Sequence, residues 1–60
     1  QEHLSNNAKI VYNYLDKEIF YIDDLLGLSL TNSQLLAAIT ELEIMGYIKA
    51  LPGGKYHLIS

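Results

Sequence analysis

Three features of the sequence predict a small α+β domain: a capped helix, a glycine stop that feeds a strand, and a proline–glycine turn that folds the chain back. All three lie in Leu30–Leu58, LTNSQLLAAITELEIMGYIKALPGGKYHL. Thr31 and Gln34 have the spacing of a capping box, in which each side chain accepts a hydrogen bond from the other residue's amide. Leu30 and Leu35 flank the box where a hydrophobic staple closes. Leu35, Ile39, Leu42 and Met45 then follow offsets of 0, 4, 7 and 10, an uncharged helical stripe expected to face the core. Gly46 supplies the left-handed stop that a helix C-terminus favours. Tyr47 to Leu51 is extended, and Leu51-Pro52-Gly53-Gly54 places proline and glycine at the central positions of a type II turn. Lys55 to Ile59 returns as the second arm of a hairpin. A helix running straight into a hairpin is the second half of a winged helix. The expected fold is therefore a small winged helix: three helices, a short strand and a C-terminal β-hairpin wing.

The upstream half supplies the remaining elements. Residues 1–5 lack periodicity and read as a linker or frayed lead-in to a single domain over residues 1–60. Ser5, Asn6 and Asn7 are all good N-caps, so the first helix is expected from there to about Asp16. Val11 and Leu15, with Ile10 and Tyr14 beside them, form its predicted buried stripe. Glu18 to Tyr21 is short and rich in β-branched and aromatic residues, a brief strand suited to pairing with the hairpin. Ile22 to about Leu28 is expected as a short second helix, with Asp23 and Asp24 in its first turn.

Composition limits the function. The chain has 60 residues and is half hydrophobic, too apolar for a disordered tail. A domain of this size buries about 60% of its unfolded surface and leaves no room for a deep cavity beside the core. There is no cysteine, hence no disulfide and no thiolate metal site. No apolar run approaches the length of a membrane span, and nothing resembles a signal peptide. The chain starts at Gln1 rather than Met, which suggests a piece of something longer, with a cytoplasmic setting as the default expectation. The two histidines, His3 and His57, lie far apart in sequence, and no serine–histidine or carboxylate pair has catalytic spacing. No enzyme activity, metal or cofactor is expected.

The helix-to-hairpin stretch also resembles a known family. Glu41-Leu42-Glu43, Gly46 and Leu51-Pro52-Gly53-Gly54-Lys55-Tyr56 are similar to the E-L-E-x-x-G stop and L-P-G-G-[KR]-Y wing of the C-terminal winged-helix domain of the bacterial DNA-processing protein A family (DprA, also called Smf). Ile22-Asp23-Asp24-Leu25 is similar to that family's I-D-E-L motif, although Tyr21 stands where a serine cap is usual. The link between the second and third helices is one residue shorter than in the family pattern. The resemblance covers about residues 10–59. It implies an accessory domain of a protein whose larger Rossmann-like part binds single-stranded DNA, protects incoming DNA in natural transformation and helps load a recombinase. The implied partners are DNA, single-stranded rather than duplex, that Rossmann-like domain and a recombinase.

Charge narrows where such a domain would touch nucleic acid. The net charge is −3, and the first 18 residues carry −1 of it. The second and third helices add two carboxylates each, whereas residues 47–60 carry +2 from Lys49 and Lys55, with His57 beside them. Strand alternation puts Ile48, Ala50, Tyr56 and Leu58 inward and Lys49, Lys55 and His57 outward. These three are the candidate phosphate contacts, for weak sequence-independent binding. The competing reading is that they protect an edge strand from aggregation. The third helix lacks the lysines and arginines of a base-reading helix; its outer face shows Ser33, Ala37, Thr40, Glu41 and Ile44. Ala37, Thr40, Glu41 and Ile44 are thus the candidate surface for a second function, protein interaction or self-association into a homodimer. Scattered surface apolars are the ordinary alternative.

Overall fold

The computed structural model describes residues 4–59. Its elements run α1 (Asn6–Tyr14), β1 (Ile19–Tyr21), a one-turn 3₁₀ helix (Ile22–Leu25), α2 (Asn32–Ile44), β2 (Ile48–Leu51) and β3 (Lys55–Leu58). The three strands form one antiparallel sheet in the order β1-β3-β2. This is the winged-helix arrangement with two α-helices rather than three. The segment expected as the second helix makes a single tight turn. Tyr21 N–H donates to the Asp24 carboxylate at 2.9 Å, which closes the turn at its start. Two residues past its end, a Cβ at Gly27 would lie 2.7 Å from the Tyr14 hydroxyl. The chain thus passes Tyr14 as turn rather than helix, and a side chain there would push that ring aside.

Both α-helices are fixed by local chemistry. Ser5 caps α1, its hydroxyl accepting from Ala8 N–H at 3.3 Å. Thr31 and Gln34 form the full capping box of α2, with reciprocal bonds of 2.9 and 3.1 Å. At the far end, Gly46 adopts φ +85°, Tyr47 N–H donates to Leu42 C=O, and Gly46 N–H donates to Glu43 C=O. This pair of bonds is a Schellman motif, which satisfies two carbonyls the helix itself cannot.

The core is built from Leu4, Ala8 and Val11 of the first segment, Phe20 and Leu25, Leu35, Ala38, Ile39 and Leu42 of α2, and Ile48 of β2. Three inward assignments change. Leu4, read from the sequence as lead-in, is buried, and residues 1–3 of that lead-in lie outside the described residues. The α1 stripe runs Leu4, Ala8, Val11, Leu15, which leaves Ile10 and Tyr14 exposed instead of beside the core. Met45 falls after the last helical residue, so the stripe ends with Ala38 and Leu42 inside and Met45 outside, 43% exposed. Tyr47 is half-buried, its ring 5.3 Å from that of Tyr12, so it packs α1 against the end of α2.

Candidate nucleic-acid and partner surfaces

Strand register decides which side chains share a face. β3 pairs with β1 through Ile19–His57, Phe20–Tyr56 and Tyr21–Lys55, and with β2 through Ile48–Leu58, Lys49–His57, Ala50–Tyr56 and Leu51–Lys55. Directly opposed residues in an antiparallel ladder point the same way. One face therefore holds Phe20, Tyr56, Ile48, Leu58 and Ala50. Phe20 stacks on Tyr56 with centroids 5.6 Å apart. Ala50 keeps the inward orientation expected of it but stays exposed on the edge strand. The opposite face holds Lys49, Lys55 and His57 together with Ile19, Tyr21 and Leu51.

Lys49 and His57 are cross-strand neighbours, and Lys55 sits two residues from His57 on the same strand. By ordinary sheet spacing these steps are about 5 and 7 Å. The edge-protection reading loses part of its basis. β1 covers one side of β3, so Lys55 and His57 are on the central strand and are half-buried; Lys49 alone of the three is on an edge strand. The same pairing brings in two residues that the sequence reading passed over. Ile19 and Tyr21 of β1 are 42% and 48% exposed on this basic face. Their period-two spacing was the available signal, but it acquires meaning only with the β1–β3 register.

The outer face of α2 is of a different kind. Leu36, Ala37, Thr40, Glu41, Ile44 and Met45 line an open groove of about 440 Å³, mostly apolar at its surface. All four residues singled out from the sequence, Ala37, Thr40, Glu41 and Ile44, are on it. Leu36 and Met45 join them, Leu36 because it lies one helical turn before Thr40. Ile44 is 78% exposed, the highest value among the large apolar side chains described as exposed.

Glu41 has a role that spacing alone concealed. Ser5 N–H donates to its Oε2 at 2.7 Å. The Ser5 hydroxyl and this amide hold the Glu41 carboxyl below its ordinary value, because both stabilise the charged form. A carboxylate of α2 thereby satisfies an orphan amide at the N-terminus of α1, 36 residues away in sequence. The carboxylate on this outer face is thus tied to the start of the first helix.

A second cleft of about 350 Å³ lies among Tyr14, Leu15, Asp16, Lys17, Phe20, Asp24 and Leu25. Lys17 and Asp24 form an ion pair of 3.7 Å there, half-solvated and worth little. Asp24 is committed to Lys17 and to the Tyr21 amide, so it closes a turn. Among the described residues no group of histidine, cysteine and carboxylate side chains could hold a metal ion, and no helix is long and apolar enough to cross a membrane. His3 lies outside the described residues.

No curated protein and no solved structure matches the chain. The profile of one family does, over residues 1–54, nearly the whole length and through the glycine turn of the hairpin. With its capped helix, Schellman stop and three-stranded sheet, this chain belongs to the DprA winged helix domain family.

Proposed function

We propose that this chain is the accessory winged-helix domain of a DNA-processing protein in natural transformation, and that it gives weak, sequence-independent nucleic-acid contact through Lys49, Lys55 and His57. The observation that carries this reading is the register that groups these three on one sheet face. None of the residues sharing that face is acidic. Phosphates meeting it would find two ammonium groups and an imidazole without an intervening carboxylate. Two lysines correspond to a salt slope of about −2 on duplex DNA and about −1.4 on a single strand, with a dissociation constant on the order of 10⁻⁴ M or poorer at physiological salt. The primary grip on DNA then belongs to the Rossmann-like part of the parent protein, and a recombinase acts with the whole.

The test is an NMR titration of the chain with a short single strand at two salt concentrations. Shifts should centre on the hairpin and weaken with salt, and Lys49→Glu combined with Lys55→Glu should erase them with the fold intact. Shifts confined to α2 that survive the double variant would reject the assignment.

A second reading is favoured by the α2 groove: self-association. Leu36, Thr40 and Ile44 run large, small, large along one helical line, so an antiparallel two-fold crossing at Thr40 sets Leu36 of one copy against Ile44 of the other. The carboxylate in the groove, Glu41, already has Ser5 as its partner. Sedimentation at rising concentration tests this reading. Unlike the DNA contact, it should hold or strengthen as salt is raised.

A further inference from the structure

We propose that the basic sheet face is a stacking platform, on which Tyr21 holds one unpaired base while Lys55 and Lys49 take the phosphates beside it. The inference rests on the nucleic-acid reading above and deepens it by adding a binding residue and a reason for strand selectivity. Three observations lead to it. Tyr21 is 48% exposed although it lies in a strand, and its Cα partner across the ladder is Lys55. Ile19, 42% exposed, is paired with His57 in the next row of the same face. His57 is in turn paired with Lys49. The face thus has two rows, Tyr21, Lys55, Leu51 and Ile19, His57, Lys49, in which a residue of β1 stands beside a basic side chain of β3.

Two half-exposed side chains with apolar surface flank the basic groups on the β1 side, and a purely electrostatic site does not need them. Duplex DNA presents phosphates and groove edges to a flat sheet, and its base faces are closed by stacking. A single strand offers π-faces as well as phosphates, and a sheet that carries an aromatic ring with lysines beside it matches both. Adjacent strands are about 5 Å apart and rows about 7 Å, so a base on Tyr21 leaves its own phosphate within reach of Lys55 and the next within reach of Lys49. The neighbouring acids do not oppose this. Asp24, the carboxylate next to Tyr21, accepts the Tyr21 amide and pairs with Lys17. Glu18 precedes Ile19 and is offset by one residue from the outward set. Because the ring is on the solvent side and the Asp24 bond uses the backbone, the tyrosine side chain is replaceable without loss of the turn.

The experiment uses the 60-residue chain with three probes at low salt: hexathymidylate, a hexamer of abasic deoxyribose phosphates, and a duplex of the same length. Hexathymidylate should move the Tyr21 ring protons upfield, as a stacked base does. Tyr21→Ala should weaken its binding about fivefold or more, Tyr21→Phe should retain it, and neither should alter binding of the abasic strand. Urea midpoints of both variants verify that they fold, and the ring-proton shift in the parent stands whether or not they do. Unchanged Tyr21 ring shifts, or equal affinity of parent and Tyr21→Ala for hexathymidylate, would overturn the stacking site. If the lysine double variant then still abolishes binding, the hairpin contact survives and Tyr21 alone is removed. If none of the three probes binds, both readings fall together.

Discussion

The outward sheet face and the outward face of α2 differ in chemistry, and the difference suits them to different partners under the reading proposed above. The sheet face is cationic and aromatic, with Lys49, Lys55, His57 and Tyr21 brought together by register. The helix face is apolar, with Leu36, Ala37, Thr40, Ile44 and Met45, and its carboxylate is held by Ser5. In a domain of −3 net charge this division is informative. Among the described residues, Asp16 and Glu18 lie in the loop between α1 and β1, Asp23 and Asp24 in the 3₁₀ turn, and Glu41 and Glu43 on α2, so no carboxylate falls within the basic set of the sheet face. A helix-turn-helix that read bases would reverse the pattern and place cations on α2. The winged-helix scaffold is kept, while its usual reading helix has become an apolar face. Fold alone does not say which of the two faces works, so the proposal rests on the residues each face carries.

The largest disturbance is one that removes both surfaces together. Phe20 is buried, stacked on Tyr56, and joins the inner side of the sheet to the helices. Phe20→Ala should cost about 3–5 kcal/mol. A domain of this size has roughly 3–9 kcal/mol in all, so a substantial unfolded population is expected at 25 °C. A urea midpoint within 0.3 M of the parent would show that the two faces do not share one core.

Gly46→Val strikes the joint where α2 passes into β2. A Cβ there meets nothing within 4 Å, so the whole effect comes from φ +85°. The expected loss is about 1–2 kcal/mol, read from urea unfolding. Both surfaces should weaken in parallel with stability, because each depends on the Schellman turn holding helix and hairpin at a fixed angle. Stability equal to the parent would mean that the left-handed turn is not needed to end the helix.

Much of this was legible from the sequence because it is local. The Thr31/Gln34 box, the Gly46 stop and the Pro52-Gly53 turn each involve residues within a few positions, and all are where spacing placed them; Gly53 has φ +91°. Other parts depended on long-range pairing. The position of β3 between its neighbours, which moves Lys55 and His57 off the edge, follows from three β1 residues adding to it, and no local pattern announces that. Met45 was misplaced because the helical period was extended one residue beyond the helix. The second helix is a single 3₁₀ turn, Ile22–Leu25, closed at its start by the Tyr21 amide on Asp24, and the acidic first turn that suggested a helix fits either form. Leu36 was missed because a Leu-Leu pair puts one side chain inside and one out, and the inner one alone fits a core stripe.

Ile44→Glu separates the two surfaces. The side chain is 78% exposed, so the substitution removes little packing. A carboxylate in the last turn of α2 opposes the helix dipole, by about 0.3–1 kcal/mol. Ile44→Lys suits that dipole and serves as the control. Either change should abolish self-association in sedimentation while hexathymidylate binding stays the same. Loss of DNA binding with both, or unchanged sedimentation in a parent that associates, would break the division of labour between the faces.

The smallest effect, and the one that most sharpens the contrast, belongs to Glu41. Its carboxylate lies in the apolar groove yet accepts from Ser5, which lowers its pKa in the folded chain below the ordinary 4.5. A depressed folded pKa means that the charged form is favoured by folding. The stabilisation is therefore complete above about pH 4.5, the unfolded value, and is lost as pH falls through the lower folded value. Glu41→Gln keeps an acceptor for the Ser5 amide but has no charge to lose. The variant should be less stable than the parent at neutral pH, and the difference should close as the solution is acidified below pH 4.5. The other carboxylates titrate in both proteins and cancel in the difference. Urea midpoints measured in parallel at pH 7 and at intervals below pH 5 give the test. A gap that stays constant through the acid range would mean that Ser5 binds the carboxylate and the amide alike, and that the charge of Glu41 plays no part in holding α1 against α2.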